Sequence, residues 1–204
     1  KKIKVGHAGT LDPLATGVLV VCTGKATKRI ETLQAQDKSY TATIRLGAHT
    51  PCLDAELPVD TWADSAHLTP DAIEQAANGL RGTIEQMPPR YSAKKVNGQK
   101  AYAVARKGGE IMLKRASIEI KKLKIQEVQH RVIDQNNVVD VEVEIDCTKG
   151  TYIRSIARDL GETLGVGGHL IALRRTINGP FPIAKCVQLP ALIQTIESLA
   201  MADN

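Results

Sequence analysis

The sequence predicts an α+β fold, a mixed and mainly antiparallel β-sheet flanked by helices. Two periodicities and a composition carry that reading. Residues 138–147 alternate Val139, Val141, Val143, Ile145 and Cys147 with Asp140, Glu142, Glu144 and Asp146. That period of two belongs to a strand with one buried and one wet face. Residues 151–164 instead set Ile153, Ile156, Ala157, Leu160 and Leu164 on one helical stripe, with Gly165 as the stop. At 204 residues, 43% hydrophobic and 24% charged, the chain can bury a core without disulfide staples.

The other elements follow in order. Residues 17–22 are a short apolar run that reads as a buried strand, ended by Gly24. Ala26, Ile30 and Leu33 give 25–35 a helical spacing. Residues 40–46 are rich in β-formers and precede Gly47, so they predict a strand. Residues 48–68 hold Pro51, Pro58, several acids and the single tryptophan, Trp62, and read as a loop-rich connection. Thr69-Pro70-Asp71 opens a helix to about Gly79, with Thr as N-cap and Pro at the first helical position. From Pro88-Pro89 to Gly108-Gly109, with a turn at Asn97-Gly98 and a short helix at 99–107, the chain reads as an excursion from the core. A strand near 169–177 and a helix near 190–201 complete it.

Net charge is +5, and its distribution says more. Residues 90–124 carry eleven Lys or Arg against Glu110 and Glu119, a net of +9; the rest carries sixteen bases and twenty acids, a net of −4. A basic stretch on a near-neutral body is either a surface for a polyanion such as RNA or a solvated charged hairpin. Cys22, Cys52, Cys147 and Cys186 are scattered and show no ligand spacing with the histidines, which argues against a zinc site or disulfide framework and fits a reducing cytoplasm. No apolar run of about 20 residues could span a bilayer. Gly24-Lys25 lacks the first glycine and the Ser/Thr of a phosphate loop, and Gly165-Val166-Gly167 lacks the third glycine of a dinucleotide fingerprint.

The segment from Gly6 to Gly17 holds three further features within twelve residues: His7, Asp12-Pro13, and glycines that let backbone approach a ligand. On its own, Asp12 reads as a turn residue, Tyr40 and Tyr152 as packing, and Arg154 as a surface charge. The pattern Gly-His-x-Gly-x-Leu-Asp-Pro-x-Ala-x-Gly, followed by Gly24-Lys25-Ala26-Thr27-Lys28, resembles the active-site motif of the TruB family of pseudouridine synthases. Lys38-Ser39-Tyr40 resembles that family's second motif, and the run from Pro88-Pro89-Arg90-Tyr91 through Arg106 its RNA-covering insertion. Lys149-Gly150-Thr151-Tyr152-Ile153-Arg154 and Leu173-Arg174-Arg175 resemble its third motif and closing strand.

The resemblance implies the pseudouridine synthase catalytic fold and an isomerase acting on the T-loop uridine of tRNA, position 55, without metal or cofactor. It implies Asp12 as the catalytic carboxylate, Tyr40 against the target base and Arg154 paired with Asp12. Tyr152 and Leu173 become pocket residues, and His7 meets displaced loop bases. Lys94, Lys95, Lys100, Arg106, Lys149 and Arg175 become RNA contacts. A single catalytic domain over residues 1–204 is expected, with the insertion near 88–117, acting as a monomer on the tRNA T-arm in the cytoplasm. The family begins with a strand and a Lys-Pro-x-Gly segment that five residues before Gly6 cannot supply, and many members carry a C-terminal RNA-binding domain, so both are expected to be missing. A non-catalytic tRNA-folding module, or a synthase for another RNA, is the alternative.

Overall fold

The structure, a computed structural model, describes residues 3–92, 94–96, 98–109 and 112–202, with the backbone alone at 95, 96, 99, 100, 200 and 202. Its strands are β1 (Val5–His7), β2 (Ala15–Gly17), β3 (Val21–Thr23), β4 (Lys38–Leu46), β5 (Ala48–His49), β6 (Thr61–Trp62), β7 (Gly82–Gln86), β8 (Lys95–Val96), β9 (Gln99–Lys100), β10 (Ala116–Ile133), β11 (Asn136–Cys147), β12 (Gly168–Asn178) and β13 (Phe181–Pro182). Its α-helices are α1 (Ile30–Gln34), α2 (Pro70–Asn78), α3 (Ala101–Ala105), α4 (Ile153–Thr163) and α5 (Leu189–Ala202).

The main sheet runs β13-β12-β4-β11-β10-β7, every pair along it antiparallel, and β2 adds to β12 in parallel. The alternation in β11 works as the sequence predicts. Val139, Val141, Val143, Ile145 and Cys147 enter one core with Ile44 and Leu46 of β4 and with Ile153, Ile156 and Leu160 of α4. Asp140 breaks the wet-face pattern: it is buried because Arg45 (2.8 Å) and Arg131 (3.0 Å) cover and neutralise it. The α2 helix starts where expected, with the Thr69 hydroxyl accepting the Ala72 amide at 3.2 Å.

Three expectations need correction. Residues 17–22 are not one strand. Gly17, at φ +102°, turns the chain, so β2 pairs with β12 while β3 leaves to pair with β1, and Leu19 and Val21 are exposed. The helical spacing at 25–35 resolves into a 3₁₀ turn over Gly24–Arg29 and the five-residue α1. The basic run 90–124 outlasts the excursion expected over 88–109: its last part, 116–124, where no strand is expected, is the first half of β10 and buries Ile118, Ile120 and Leu123. Register shifts at Ile120/Lys122 and Ile125/Glu127 break the period of two there, which hides an 18-residue strand from a periodicity reading. The turn residue Asn97 lies outside the described residues.

Close backbone approach seats α4 on the sheet. A Cβ on Gly161 would lie 2.2 Å from the backbone of Gly167, at the start of β12. Gly161→Ala therefore forces helix and strand apart and is expected to cost about 1–3 kcal/mol. Thermal unfolding checks this; an unchanged midpoint contradicts the close packing.

Candidate active site

Arg154 is the centre of the site. It lies on the first turn of α4 with its side chain 5% exposed. The helix start is fixed from β7: Gln86 accepts the Tyr152 amide at 2.8 Å and donates to the Tyr152 carbonyl at 3.1 Å, and the Ser155 hydroxyl donates to the Met87 carbonyl at 2.8 Å. So placed, the guanidinium faces Asp12 with two nitrogens, Nε to Oδ2 and Nη2 to Oδ1, each at 2.9 Å. Nη2 also donates to the Tyr91 carbonyl at 2.9 Å, and Nη1 to the Cys52 carbonyl at 3.2 Å. The fifth direction meets Asp54 Oδ2 at 3.4 Å, an ion-pair distance too oblique for a hydrogen bond. Three of the five N–H groups of the fork thus donate hydrogen bonds, and the carboxylates of Asp12 and Asp54 lie within ion-pair distance of it.

Asp54 is the residue that sequence reasoning missed. It is 1% exposed, and its Oδ1 accepts the Glu56 amide at 3.0 Å. It sits in the connection between β5 and β6, where no periodicity marks a buried position. The only local signal is an acid directly after Cys52-Leu53, both buried. Two carboxylates against one guanidinium leave the cluster short of positive charge. The Asp12 carboxyl is accordingly raised above its ordinary value of 3.8, chiefly by burial, with Arg154 opposing and Asp54 adding to the rise. For a carboxylate raised in this way, folding favours the protonated form, and stability is lost as pH rises through the folded value. The ionised form of Asp12 is therefore disfavoured by its surroundings.

The loop that carries Asp12 is held from β12. Arg175 is 2% exposed and donates to the carbonyls of Val18 (2.8 Å), Gly9 (3.0 Å) and Thr10 (3.4 Å). Asn178 donates to the Ala8 carbonyl at 2.9 Å. Arg175, expected as an RNA contact, clamps both ends of the Asp12 loop: each of its three nitrogens donates to a backbone carbonyl.

Asp12, Tyr40, Tyr152 and Leu173 line one cleft of about 250 Å³. Burial pushes the Tyr40 hydroxyl up to about 12, with Cys147 adding and Arg175 opposing. Tyr40 therefore stays protonated at neutral pH, a stacking face and a donor rather than a base. Burial also raises the Tyr152 hydroxyl. A larger cleft of about 970 Å³ adjoins, sharing Tyr40 and Tyr152 and lined also by Lys28 and Lys149. The remaining expected site residues stand apart. His7 is exposed on β1 opposite Val21. Arg106 pairs with Glu56 at 3.0 Å and lies over the Tyr102 ring at 5.8 Å, while Lys94 donates to the Lys114 carbonyl at 3.1 Å. Lys95 and Lys100 lie on β8 and β9, and their side chains fall outside the described ones.

Replacing Arg154 by Met strands the buried Asp54 carboxylate and the partly buried Asp12 carboxylate, and is expected to cost about 3 kcal/mol in denaturant unfolding, a loss that a surface ion pair would not show.

Comparison with known proteins follows this geometry. The family model "TruB family pseudouridylate synthase (N terminal domain)" matches residues 1–153, and "tRNA pseudouridylate synthase B C-terminal domain" matches residues 154–202. The second match begins at Arg154, so it includes most of α4 and all of β12 of the main sheet. The chain is 48% identical over 187 residues to a tRNA pseudouridine synthase B of Parabacteroides distasonis, covering 92% of this chain and 76% of that protein. It is 45% identical over 197 residues to one of Phocaeicola vulgatus, covering 97% and 80%. Among solved structures, a Cbf5-Nop10-Gar1 complex aligns with TM-score 0.68 at 29% identity, over 94% of this chain and 45% of that one. An H/ACA RNP bound to a substrate RNA containing 2'-deoxyuridine aligns with TM-score 0.67 at 26% identity, over 98% and 47%. The chain thus spans a little under half the length of those solved chains. With the Asp12 motif, the cleft and both family models in agreement, the chain belongs to the TruB family of pseudouridylate synthases.

Proposed function

We propose that this chain converts the T-loop uridine of tRNA, position 55, to pseudouridine, with Asp12 as the catalytic carboxylate and no metal or organic cofactor. One observation carries the reading: a carboxylate gripped by a buried guanidinium lines a cleft walled by Tyr40, Tyr152 and Leu173. Family membership and relatives called tRNA pseudouridine synthase B support the reaction and the substrate.

Pseudouridine formation breaks the N1–C1′ bond, turns the uracil and rejoins it through C5, without net oxidation. Asp12 supplies an electron pair to that process, by attacking a carbon or removing a ribose proton. Arg154 keeps the pair available: it favours the anion against burial and fixes both oxygens. The cleft, smaller than the about 300–1,000 Å³ of drug-sized pockets, suits one nucleoside rather than a stacked run. The uridine therefore enters flipped out of its loop, at a cost of about a few kcal/mol. Stacking on Tyr40 returns about 1–3 kcal/mol of that. Lys149 and the basic insertion with Lys94, Lys95 and Lys100 grip the T-arm phosphates, and solvent-facing His7 meets the bases displaced from the loop. The chain acts as a monomer in the cytoplasm; among the described residues no helix is long and apolar enough to cross a membrane.

The test is a pseudouridine map of tRNA transcripts, with and without the T-arm, after treatment with the protein. Modification at position 55 only where the T-arm is present is the expected result. Asp12→Asn is expected to lower the rate by about four orders of magnitude or more and to keep tRNA affinity. Pseudouridine made by that variant at the ordinary rate contradicts the role of Asp12.

A further inference from the structure

The larger cleft beside the nucleoside pocket contains a charge that RNA binding alone does not explain. Its walls are the 3₁₀ turn and α1 on one side, bearing Lys28 and Glu31, and the loop after β11 on the other, bearing Lys149. Lys28, Lys38, Lys149 and Arg175 make the lining cationic. Two of these are occupied internally: the Lys38 ammonium donates to the carbonyls of Gln34 (2.6 Å) and Gln36 (2.5 Å), and Arg175 holds the Asp12 loop. Lys28 and Lys149 are exposed and face incoming phosphates.

Glu31 is the single acid among the described residues that line this cleft. It is exposed, and among the described residues it forms no ion pair, although Lys28 precedes it by three positions. Nearby Asp37, by contrast, is neutralised by Lys121 at 2.6 Å. An unneutralised carboxylate in a polyanion cleft repels phosphates and is favourable only against a donor. Single-stranded RNA offers such donors on its unpaired base edges. Phosphate contacts carry no sequence information, whereas a carboxylate accepts from a base amine such as cytosine N4.

We propose that Glu31 is a specificity residue that reads a nucleotide next to the target uridine, accepting a hydrogen bond from an amino-bearing base, that is cytosine, adenine or guanine rather than uracil. Uracil presents one N–H between two carbonyl oxygens, and those oxygens repel a carboxylate. The inference rests on the proposed function and names what that site reads beyond the target.

The experiment uses T-arm stem-loop RNAs in which the nucleotide on each side of the target uridine carries each of the four bases. Affinity is measured with the Asp12→Asn protein, so turnover does not intrude, and again with Glu31→Ala added. The first protein is expected to bind an amino-bearing neighbour about tenfold more tightly than uracil at one of the two positions. The added substitution is expected to bring that ratio to within about twofold. An unchanged ratio, no base dependence in either protein, or a uniform tightening of every RNA overturns the proposal; the last result marks Glu31 as a bare repulsive charge. Wild-type turnover on the same RNAs separates the two readings. Pseudouridine formed without base preference removes only the role of Glu31, whereas no pseudouridine in any RNA removes the proposed function and this inference with it.

Discussion

The site depends on one buried guanidinium. Arg154 joins the Asp12 loop, the Cys52–Asp54 segment and the chain at Tyr91, three stretches far apart in sequence. A lysine could not replace it. An ammonium has three donors on a flexible stem, whereas this position uses a planar fork whose donors point at fixed acceptors. A cation so desolvated is stable only with its carboxylates in place, and they are stable only with it. The cluster therefore holds together as a unit, and the Asp12 carboxylate is fixed in one orientation.

That unit needs rigid supports on both sides. From behind, β7 fixes the first turn of α4 through Gln86 and Met87. From the sheet edge, Arg175 and Asn178 of β12 hold the carbonyls on either side of the Asp12 loop. Gly17 lets β2 lie directly on Arg175, since a Cβ there would meet its carbonyl oxygen at 2.2 Å. The loop is irregular in outline and yet bonded throughout, which is how a non-repetitive segment holds a functional side chain still. The basic insertion meets the body through the exposed Arg106–Glu56 pair and is braced within itself by single contacts such as Arg90 to the Gly109 carbonyl at 3.2 Å. Such contacts are weak enough to exchange for RNA phosphates.

Much of this was legible in the sequence, for identifiable reasons. The α4 stripe and the β11 alternation are read directly because one face of each meets the core, and local periodicity reports that. The TruB motifs located Asp12, Tyr40 and Arg154. What stayed hidden depends on tertiary partners. The strand β10 is masked by two register shifts, and the run 17–22 divides because Gly17 redirects it. Asp54 is an ordinary loop acid until α4 delivers a cation to it. Arg175 looks like a surface base because nothing local reveals that its donors end on the carbonyls of Gly9, Thr10 and Val18. Sequence patterns report which face of an element is wet, and they are silent about which buried charge answers which.

The Asp12 carboxyl is harder to ionise than an ordinary aspartate, because burial and Asp54 oppose the charge and Arg154 offsets them only in part. Direct observation of the Asp12 side-chain carbonyl carbon by NMR across pH tests this. The expected titration midpoint lies above the ordinary aspartate value of 3.8, because burial and Asp54 raise it more than Arg154 lowers it. A carboxyl that titrates at or below the ordinary aspartate value would contradict it.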